Sequence, residues 1–271
     1  MREDGNLANA APPPLAFSVV VPTLNEEGYI GVLLACFARQ TERNFEVIIV
    51  DGQSEDRTRE VVEGFRDRVP GLRLTVAGER GLSHARNVGA ALARSDRLIF
   101  MEADCVIEEN FFEAVLQEID KRGLGCANVL STPLSRHWFD RLYYRVLLDW
   151  FLRLAQHVNP VITGYFIYAR RSVYEKLRGF DESITFEDTD FAKRARKVTR
   201  FRVLARPRVF TSVRRLENDG RLWCLTRSIG VTLYQFLGGK VRVHSPRYPF
   251  GHHGGDSSHE RVAAERLRER R

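Results

Sequence analysis

The sequence predicts an α/β fold in which a mostly parallel sheet is flanked by helices, and three observations carry that prediction. Short β-branched or apolar runs recur along the first part of the chain, FSVVVP at 17–22, FEVIIV at 45–50 and LIFM at 98–101. Segments with apolar residues at helical spacing lie between them. Each run stops abruptly at a polar cluster, PTLNEE, DGQSEDRT and EADC in turn. Strands and helices in alternation build parallel sheets, whose ligands bind beyond the carboxyl ends of the strands.

Phe17 to Pro22 supply the first strand, and Ile30, Leu33, Leu34 and Phe37 give the next segment a helical period. Phe45 to Val50 form a second strand that stops at Asp51-Gly52. The segment SEDRTREVVEGF then opens like a capped helix: Ser54 or Asp56 can accept from free N–H groups, and acidic residues suit the positive end. Leu72 to Ala77 make a weaker third strand, SHARNVGAALARS a short helix after Gly81, and Leu98 to Met101 a fourth strand.

The second half differs. Phe139, Leu142, Tyr143, Val146, Leu147, Trp150, Phe151 and Leu154 form a broad apolar helical face, with Arg141, Arg145, Asp149 and Arg153 opposite. Such a face is ordinarily core. The alternative, favoured by its aromatics and nearby arginines, is a helix lying on a membrane surface or gripping a lipid chain. Leu222, Leu225, Ile229, Leu233 and Phe236 follow helical spacing in a second amphipathic segment at 216–243, accompanied by Arg221 and Arg227. Together the two segments suit anionic headgroups at a membrane surface, or else close a core or a homodimer interface.

A chain of 271 residues with 44% apolar content has room for one sizeable domain or two small ones, and wholesale disorder is excluded. The charge of +7 (42 basic against 35 acidic residues) fits a phosphate-bearing partner: nucleic acid, nucleotide or anionic lipid. Nucleic acid is disfavoured, because no basic stripe interleaved with aromatics is present. Cys36, Cys105, Cys126 and Cys224 form no CxxC pair, which argues against a zinc site or disulfide framework and for a reducing, cytoplasmic setting. The inner face of the cell membrane is compatible with that setting. Residues 1–16 carry acids and three consecutive prolines where a secretory signal needs a basic start and an apolar core, so a flexible leader is expected. No stretch offers the roughly 20 apolar residues of a membrane span. Residues 244–271, rich in Gly, Ser, His and Arg, read as a charged flexible tail.

The stretch LIFMEADCVIEENF places two carboxylates, Glu102 and Asp104, at the exit of a buried strand. An ionised carboxylate out of water costs several kcal/mol unless something positive compensates it. If extended geometry persists, both side chains point to one side. The alternative is an acidic turn capping a helix that starts near Glu108.

In this order and at these intervals, VVVPTLNEE, IIVDGQSEDRT, GLSHARNVGAALARS, FMEADC and GFDESITFEDTDFAKRARK resemble the family 2 glycosyltransferases, whose GT-A fold is a Rossmann-like sheet flanked by helices. The resemblance covers about Phe17 to Gly220. It implies a GT-A catalytic domain over 17–215, with a nucleotide-binding half at 17–105 and an acceptor-binding half at 106–215. It implies that Pro22, Thr23 and Glu26 hold the nucleoside, that Asp51 reads the base edge, and that Arg86 and Asn87 lie beside the donor. Glu102, Ala103 and Asp104 match the DxD motif, in which Asp104 binds a Mn²⁺ or Mg²⁺ ion shared with the diphosphate. Asp188 matches the general base of inverting members, and Glu187 beside it completes the expected catalytic pair. TSVRRLENDG resembles an SxRRW stretch, which puts Arg214 or Arg215 on the diphosphate.

Three departures stand out. Glu102 replaces the usual first Asp, adding a methylene; Leu216 stands where Trp is expected; and no His follows to complete a metal shell, since His244, His252, His253 and His259 lie in the tail. The implied donor is a UDP- or GDP-sugar, and the acceptor a sugar or lipid-linked molecule such as polyprenyl phosphate. Two other classes stay in view. One is a degenerate relative that binds nucleotide sugar or glycan without turnover, motivated by Glu102, and the other is a nucleic-acid binder, motivated only by charge.

Overall fold

The computed structural model describes residues 14–237, 239, 241 and 242. Most of the leader assigned to 1–16 and the whole tail at 244–271 lie outside the described residues. The elements run β1 (Phe17–Thr23), α1 (Ile30–Phe37), β2 (Phe45–Asp51), α2 (Thr58–Glu63), β3 (Leu72–Val76), α3 (Leu82–Leu92), β4 (Arg97–Met101), β5 (Cys105–Val106), α4 (Phe111–Arg122) and β6 (Cys126–Pro133). They continue with α5 (Trp138–Leu142), a π-helical turn (Tyr143–Leu148), α6 (Asp149–Ala155), β7 (Phe166–Arg170), α7 (Arg171–Lys176), β8 (Ile184–Thr185) and α8 (Glu187–Val198). Last come β9 (Phe201–Thr211), α9 (Arg214–Asn218), α10 (Arg221–Phe236) and β10 (Val241–Arg242).

Eight strands form one mixed sheet in the order β3-β2-β1-β4-β7-β6-β9-β5. β1, β2, β3 and β4 are mutually parallel, while β7 runs antiparallel between β4 and β6. The parallel half matches the expected alternation.

The continuous apolar runs are explained by burial on both sheet faces. Val19, Val21, Val47, Ile49, Ile99 and Met101 pack with α1, α2 and α4 on one face. Val20, Ile48, Val50, Leu98 and Phe100 pack with α3, α7 and α8 on the other. Helix α3 approaches the sheet at Gly89, where a Cβ would collide with the Val20 and Val50 side chains. A buried carboxylate, Glu46, lies at the opposite end of the sheet from the polar loops. It accepts from Ser18 Oγ at 2.7 Å, from the Arg94 backbone N–H at 2.7 Å and from Arg73 at 2.8 Å. Burial pushes its carboxyl up, but the Ser18 and Arg94 hydrogen bonds and the Arg73 charge outweigh this and hold it below the usual range.

The helix at 138–155 departs from expectation in two ways. A π-helical turn interrupts it, and much of the apolar face points outward: Leu142, Val146, Trp150 and Leu154 are exposed, while Tyr143 and Phe151 pack partly buried against the core. Turned inward instead are Asp140, Tyr144, Asp149, Leu152 and Ala155. Long-range arginines make this orientation affordable. Arg221 pairs with Asp140 at 2.9 Å and Arg208 with Asp149 at 2.8 Å, so neither buried carboxylate is left uncompensated. The segment expected as one helix at 216–243 is divided between α9 and α10 by Asp219-Gly220, with Gly220 in the left-handed region at φ +90°.

Candidate active site

The carboxyl ends of β1, β2 and β4 carry the site. Two loops leave β1 and β2 and are bolted together by reciprocal bonds. Asn25 N–H donates to Ser54 Oγ, Glu26 N–H to Thr58 Oγ1 and Glu27 N–H to Asp56, while Glu55 N–H returns to Asn25 Oδ1 and Arg57 N–H to Glu27. The caps foreseen in SEDRT thus serve the neighbouring loop, although Asp56 also accepts from Thr58 N–H. Asn25 and Gln53 adopt left-handed backbone at φ 55° and 68°, the kind of strain that collects at ligand-binding loops.

Asp51 is fully buried at the end of β2. One oxygen caps the turn, accepting from Ser54 N–H at 3.0 Å; the other, Oδ1, is buried without a partner. Thr23 Oγ1 at the end of β1 and Asp104 Oδ1 just past β4 are likewise buried and unpartnered. Pro22 and Thr23 are themselves buried, and the Thr23 carbonyl accepts from Gly52 N–H at 2.7 Å. Buried polar atoms in native folds nearly always have partners, and these three gather at neighbouring strand ends, where polar groups of a ligand would complete them.

β4 ends at Met101, and Glu102-Ala103-Asp104 form a turn, so extended geometry does not persist and the two carboxylates diverge. The turn does not cap α4, which starts at Phe111. Ala103 is buried against the apolar core beneath the turn. Asp104 lies 3.6 Å from Arg214, whereas Glu102 leans the other way, 3.7 Å from Arg86. The extra methylene of Glu102 therefore reaches a different cluster.

Arg214 crosses the strand ends. It donates to both oxygens of Glu26 at 2.8 and 2.9 Å and stacks 4.5 Å over the Tyr29 ring. Burial alone would ease its proton off, but the Glu26 hydrogen bonds and the Asp104 charge raise its pKa further. Of the two arginines singled out, the structure brings Arg214 to the site; the side chain of Arg215 lies outside the described residues.

The second cluster is centred on Arg86, fully buried, which donates to Glu187 and to the Gly164 carbonyl at 3.4 Å. Glu187 opens α8 and is buried in this ion pair, so its carboxylate is turned toward Arg86. Asp188 is only partly buried, and its Oδ1 accepts from Thr189 N–H at 2.6 Å. Phe186, just before the pair, sits at φ 64°, a rare conformation for a bulky side chain. Desolvation and the neighbouring Glu187 charge push the Asp188 carboxyl up to about 7, against the opposing pull of Arg86.

Asn87 is drawn away from the donor side. Its amide donates to the Phe180 carbonyl and Glu182, and accepts from Tyr174 O–H and Phe180 N–H, which uses its whole bonding capacity on the packing of the 179–182 turn. Two site residues carry no strong sequence signal. Tyr29 reads as ordinary helix start, and Gly164 is marked only as a glycine before a strand. A Cβ on Gly164 would stand 2.5 Å from Glu102 Oε1, 3.0 Å from Arg86 and 3.4 Å from Asp188 Oδ2, so the missing side chain keeps the space between these groups open. Leu216, at the position expected to hold Trp, is buried with Tyr144 and Val213.

Among the described residues, no three His, Cys, Asp or Glu side chains converge as a metal cage. A single buried carboxylate oxygen without a partner, Asp104 Oδ1, nonetheless fits the divalent sites that take one or two carboxylates and complete their shell with substrate phosphates and water.

The family model for glycosyl transferase family 2 matches residues 18–178. A PGL/p-HBAD biosynthesis glycosyltransferase of Mycobacterium bovis is 27% identical over 221 residues, covering 68% of this chain and 85% of that protein. Among solved structures, the mannosyltransferase PcManGT from Pyrobaculum calidifontis, in complex with GDP-Man and Mn²⁺, superposes with a TM-score of 0.69 at 19% identity, covering 94% of this chain and 69% of that one. S. aureus TarS 1–349 in complex with UDP-GlcNAc gives a TM-score of 0.61 at 24% identity, and this chain spans 58% of its length. These structural likenesses establish the GT-A architecture. With the family model covering more than half of the sequence and the sheet order placing its polar loops at one edge, the chain belongs to glycosyl transferase family 2 and is a glycosyltransferase.

Proposed function

We propose that this glycosyltransferase moves a sugar from a UDP- or GDP-activated donor, with inversion, to an acceptor hydroxyl or phosphate on a sugar or a lipid-linked molecule; the exposed apolar faces of α5–α6 and α10 favour the lipid-linked class, polyprenyl phosphate or a lipid-linked glycan. The observation that carries the donor half is the set of unpartnered buried oxygens, Thr23 Oγ1, Asp51 Oδ1 and Asp104 Oδ1, at adjacent strand ends. Asp51 Oδ1 is suited to accept from the N–H of uracil or guanine, with Pro22, Thr23 and Glu26 forming the wall beside the nucleoside. Asp104 would hold Mn²⁺ or Mg²⁺, and such an ion neutralises charge on a departing diphosphate. The complexes of PcManGT with GDP-Man and Mn²⁺ and of TarS with UDP-GlcNAc support this donor class.

In the chemical step the acceptor oxygen forms a bond to the anomeric carbon, the bond from that carbon to the diphosphate breaks, and the electron pair leaves with the nucleotide. Asp188 takes the proton of an acceptor hydroxyl. Its raised pKa keeps it basic enough for that task near neutrality. Arg86, locked by Glu187, fixes the floor on which Asp188 and Glu102 stand. Arg214 supplies positive charge where the diphosphate leaves, having first been held by Glu26 and Tyr29.

Thermal unfolding with a panel of nucleotide sugars and Mn²⁺ tests the reading, because a ligand that binds only the folded state raises the midpoint. A UDP- or GDP-sugar should raise it by several degrees in a Mn²⁺-dependent way. No response to any UDP- or GDP-sugar would refute the donor assignment.

A further inference from the structure

All three tryptophans of the chain are exposed. Trp138, Trp150 and Trp223 are 68%, 75% and 63% accessible, and all lie on the helical pair formed by α5–α6 and α10. They belong to two outward apolar stripes. Trp138, Leu142, Val146, Trp150, Leu154 and Val158 recur at every fourth position, and Leu222, Trp223, Ile229, Leu233, Tyr234 and Leu237 line the exposed side of α10. The helices run side by side in the same direction. Arg221 at the start of α10 pairs with Asp140 in α5, while Phe236 at its end meets Phe151 edge to face and its carbonyl accepts from Asn159. Soluble surfaces scatter single apolar residues; two adjacent stripes bearing every indole in the protein are of another kind.

A basic groove of about 690 Å³ opens beside the first stripe. Arg122, Arg153, Arg202, Arg206 and His157 line it against a single carboxylate, Glu118. Helix α6 and the turn that follows serve both features: Arg153 and His157 enter the groove, and Leu154 and Val158 continue the apolar stripe.

We infer that this face docks on an anionic phospholipid bilayer, with the two helices lying in the interface and the groove receiving headgroup phosphates. Indoles prefer the headgroup level, aliphatic side chains the acyl boundary just below it, and arginines the anionic surface. A second copy of the chain is a poorer occupant, since the same positive groove would face itself across a two-fold axis. The inference extends the lipid-linked acceptor reading, and it is tested without turnover so that the two stand or fall separately.

Because the indoles start in water, the full chain reports its own docking. Phosphatidylcholine vesicles containing phosphatidylglycerol should shift its tryptophan emission to the blue at low salt and carry it upward in flotation. Pure phosphatidylcholine should do neither, and added salt should reverse the effect. Arg153→Ala and Arg206→Ala should each weaken partitioning about fivefold. Trp138→Ser combined with Trp150→Ser should weaken it more than about tenfold. Thermal stabilisation by nucleotide sugar, measured on the same preparations, should be untouched by these surface substitutions. Absence of a blue shift with anionic vesicles, equal partitioning onto pure phosphatidylcholine, or a shift that appears on concentration alone with a dimer by light scattering would each overturn the inference, and donor stabilisation persisting in those samples would leave the transferase reading standing.

Discussion

Glu187→Gln tests the link between the buried ion pair and the proposed base. Arg86 is fully buried, and Glu187 is its close partner; Glu102 at 3.7 Å is the next carboxylate. Breaking a buried pair by removing one charge costs about 3–5 kcal/mol. Glutamine keeps a hydrogen bond and Glu102 remains as a partial counter-charge, so the lower end, about 3 kcal/mol, is expected. For a domain of this size that lowers the unfolding midpoint by roughly 6–12 °C. The same substitution removes a negative charge that holds the Asp188 pKa up. The acid limb of kcat/KM, expected near pH 7 in the native enzyme because only ionised Asp188 can accept a proton, should therefore move to lower pH. Calorimetric unfolding and a pH–rate profile read the two effects separately. A variant with unchanged midpoint and an unmoved acid limb would refute both the pairing energy and its control of Asp188.

Asp188→Asn should reduce turnover by at least about a hundredfold with donor affinity nearly unchanged. It should also stabilise the fold at pH 8. The raised carboxyl contributes stability only while protonated and loses it as pH rises towards 7, so the advantage of Asn should shrink as pH falls below 7. Glu46→Gln should cost about 3 kcal/mol at pH 7. Because the Glu46 carboxyl is held low, that stabilisation is present above the unfolded value near 4.5 and lost as pH falls through the folded one, so urea titrations of the two proteins should converge in acid. Gly164→Ala should displace Glu102 and lower turnover about tenfold or more while the midpoint changes little; normal kinetics would show that the space beside Gly164 is not used.

How far the sequence could be read depended on whether the deciding contact was local. Strands β1, β2 and β4 were legible because an apolar run buried on both faces needs no distant partner to be recognised. The loops PTLNEE, DGQSEDRT and EADC were legible as polar strand ends, and the structure brings Thr23, Asp51 and Asp104 to one edge. The helix at 138–155 was left between a core face and a surface face, because helical periodicity registers apolar side chains but not the arginines at 208 and 221 that let Asp149 and Asp140 be buried. Arg214 reaches Glu26 across 188 residues, and the Arg86–Glu187 pair spans 101, so no spacing rule could have paired them. Asn87 carried the motif yet serves the 179–182 turn, a role visible only once Tyr174 and Phe180 stand beside it.

The edge formed by β1, β2 and the turn after β4 is proposed as a nucleotide-sugar site with Asp104 as its metal-side carboxylate. Titration calorimetry of UDP- and GDP-sugars, with and without Mn²⁺, tests it most directly when the native chain is compared with Asp104→Ala. Asp104 is buried in the turn after β4, but Arg214 keeps both of its bonds to Glu26 without it, so the variant should stay folded. Mn²⁺-dependent binding is expected for the native chain, and weaker binding without metal dependence for Asp104→Ala. Unchanged affinity and unchanged Mn²⁺ dependence in the variant would contradict it.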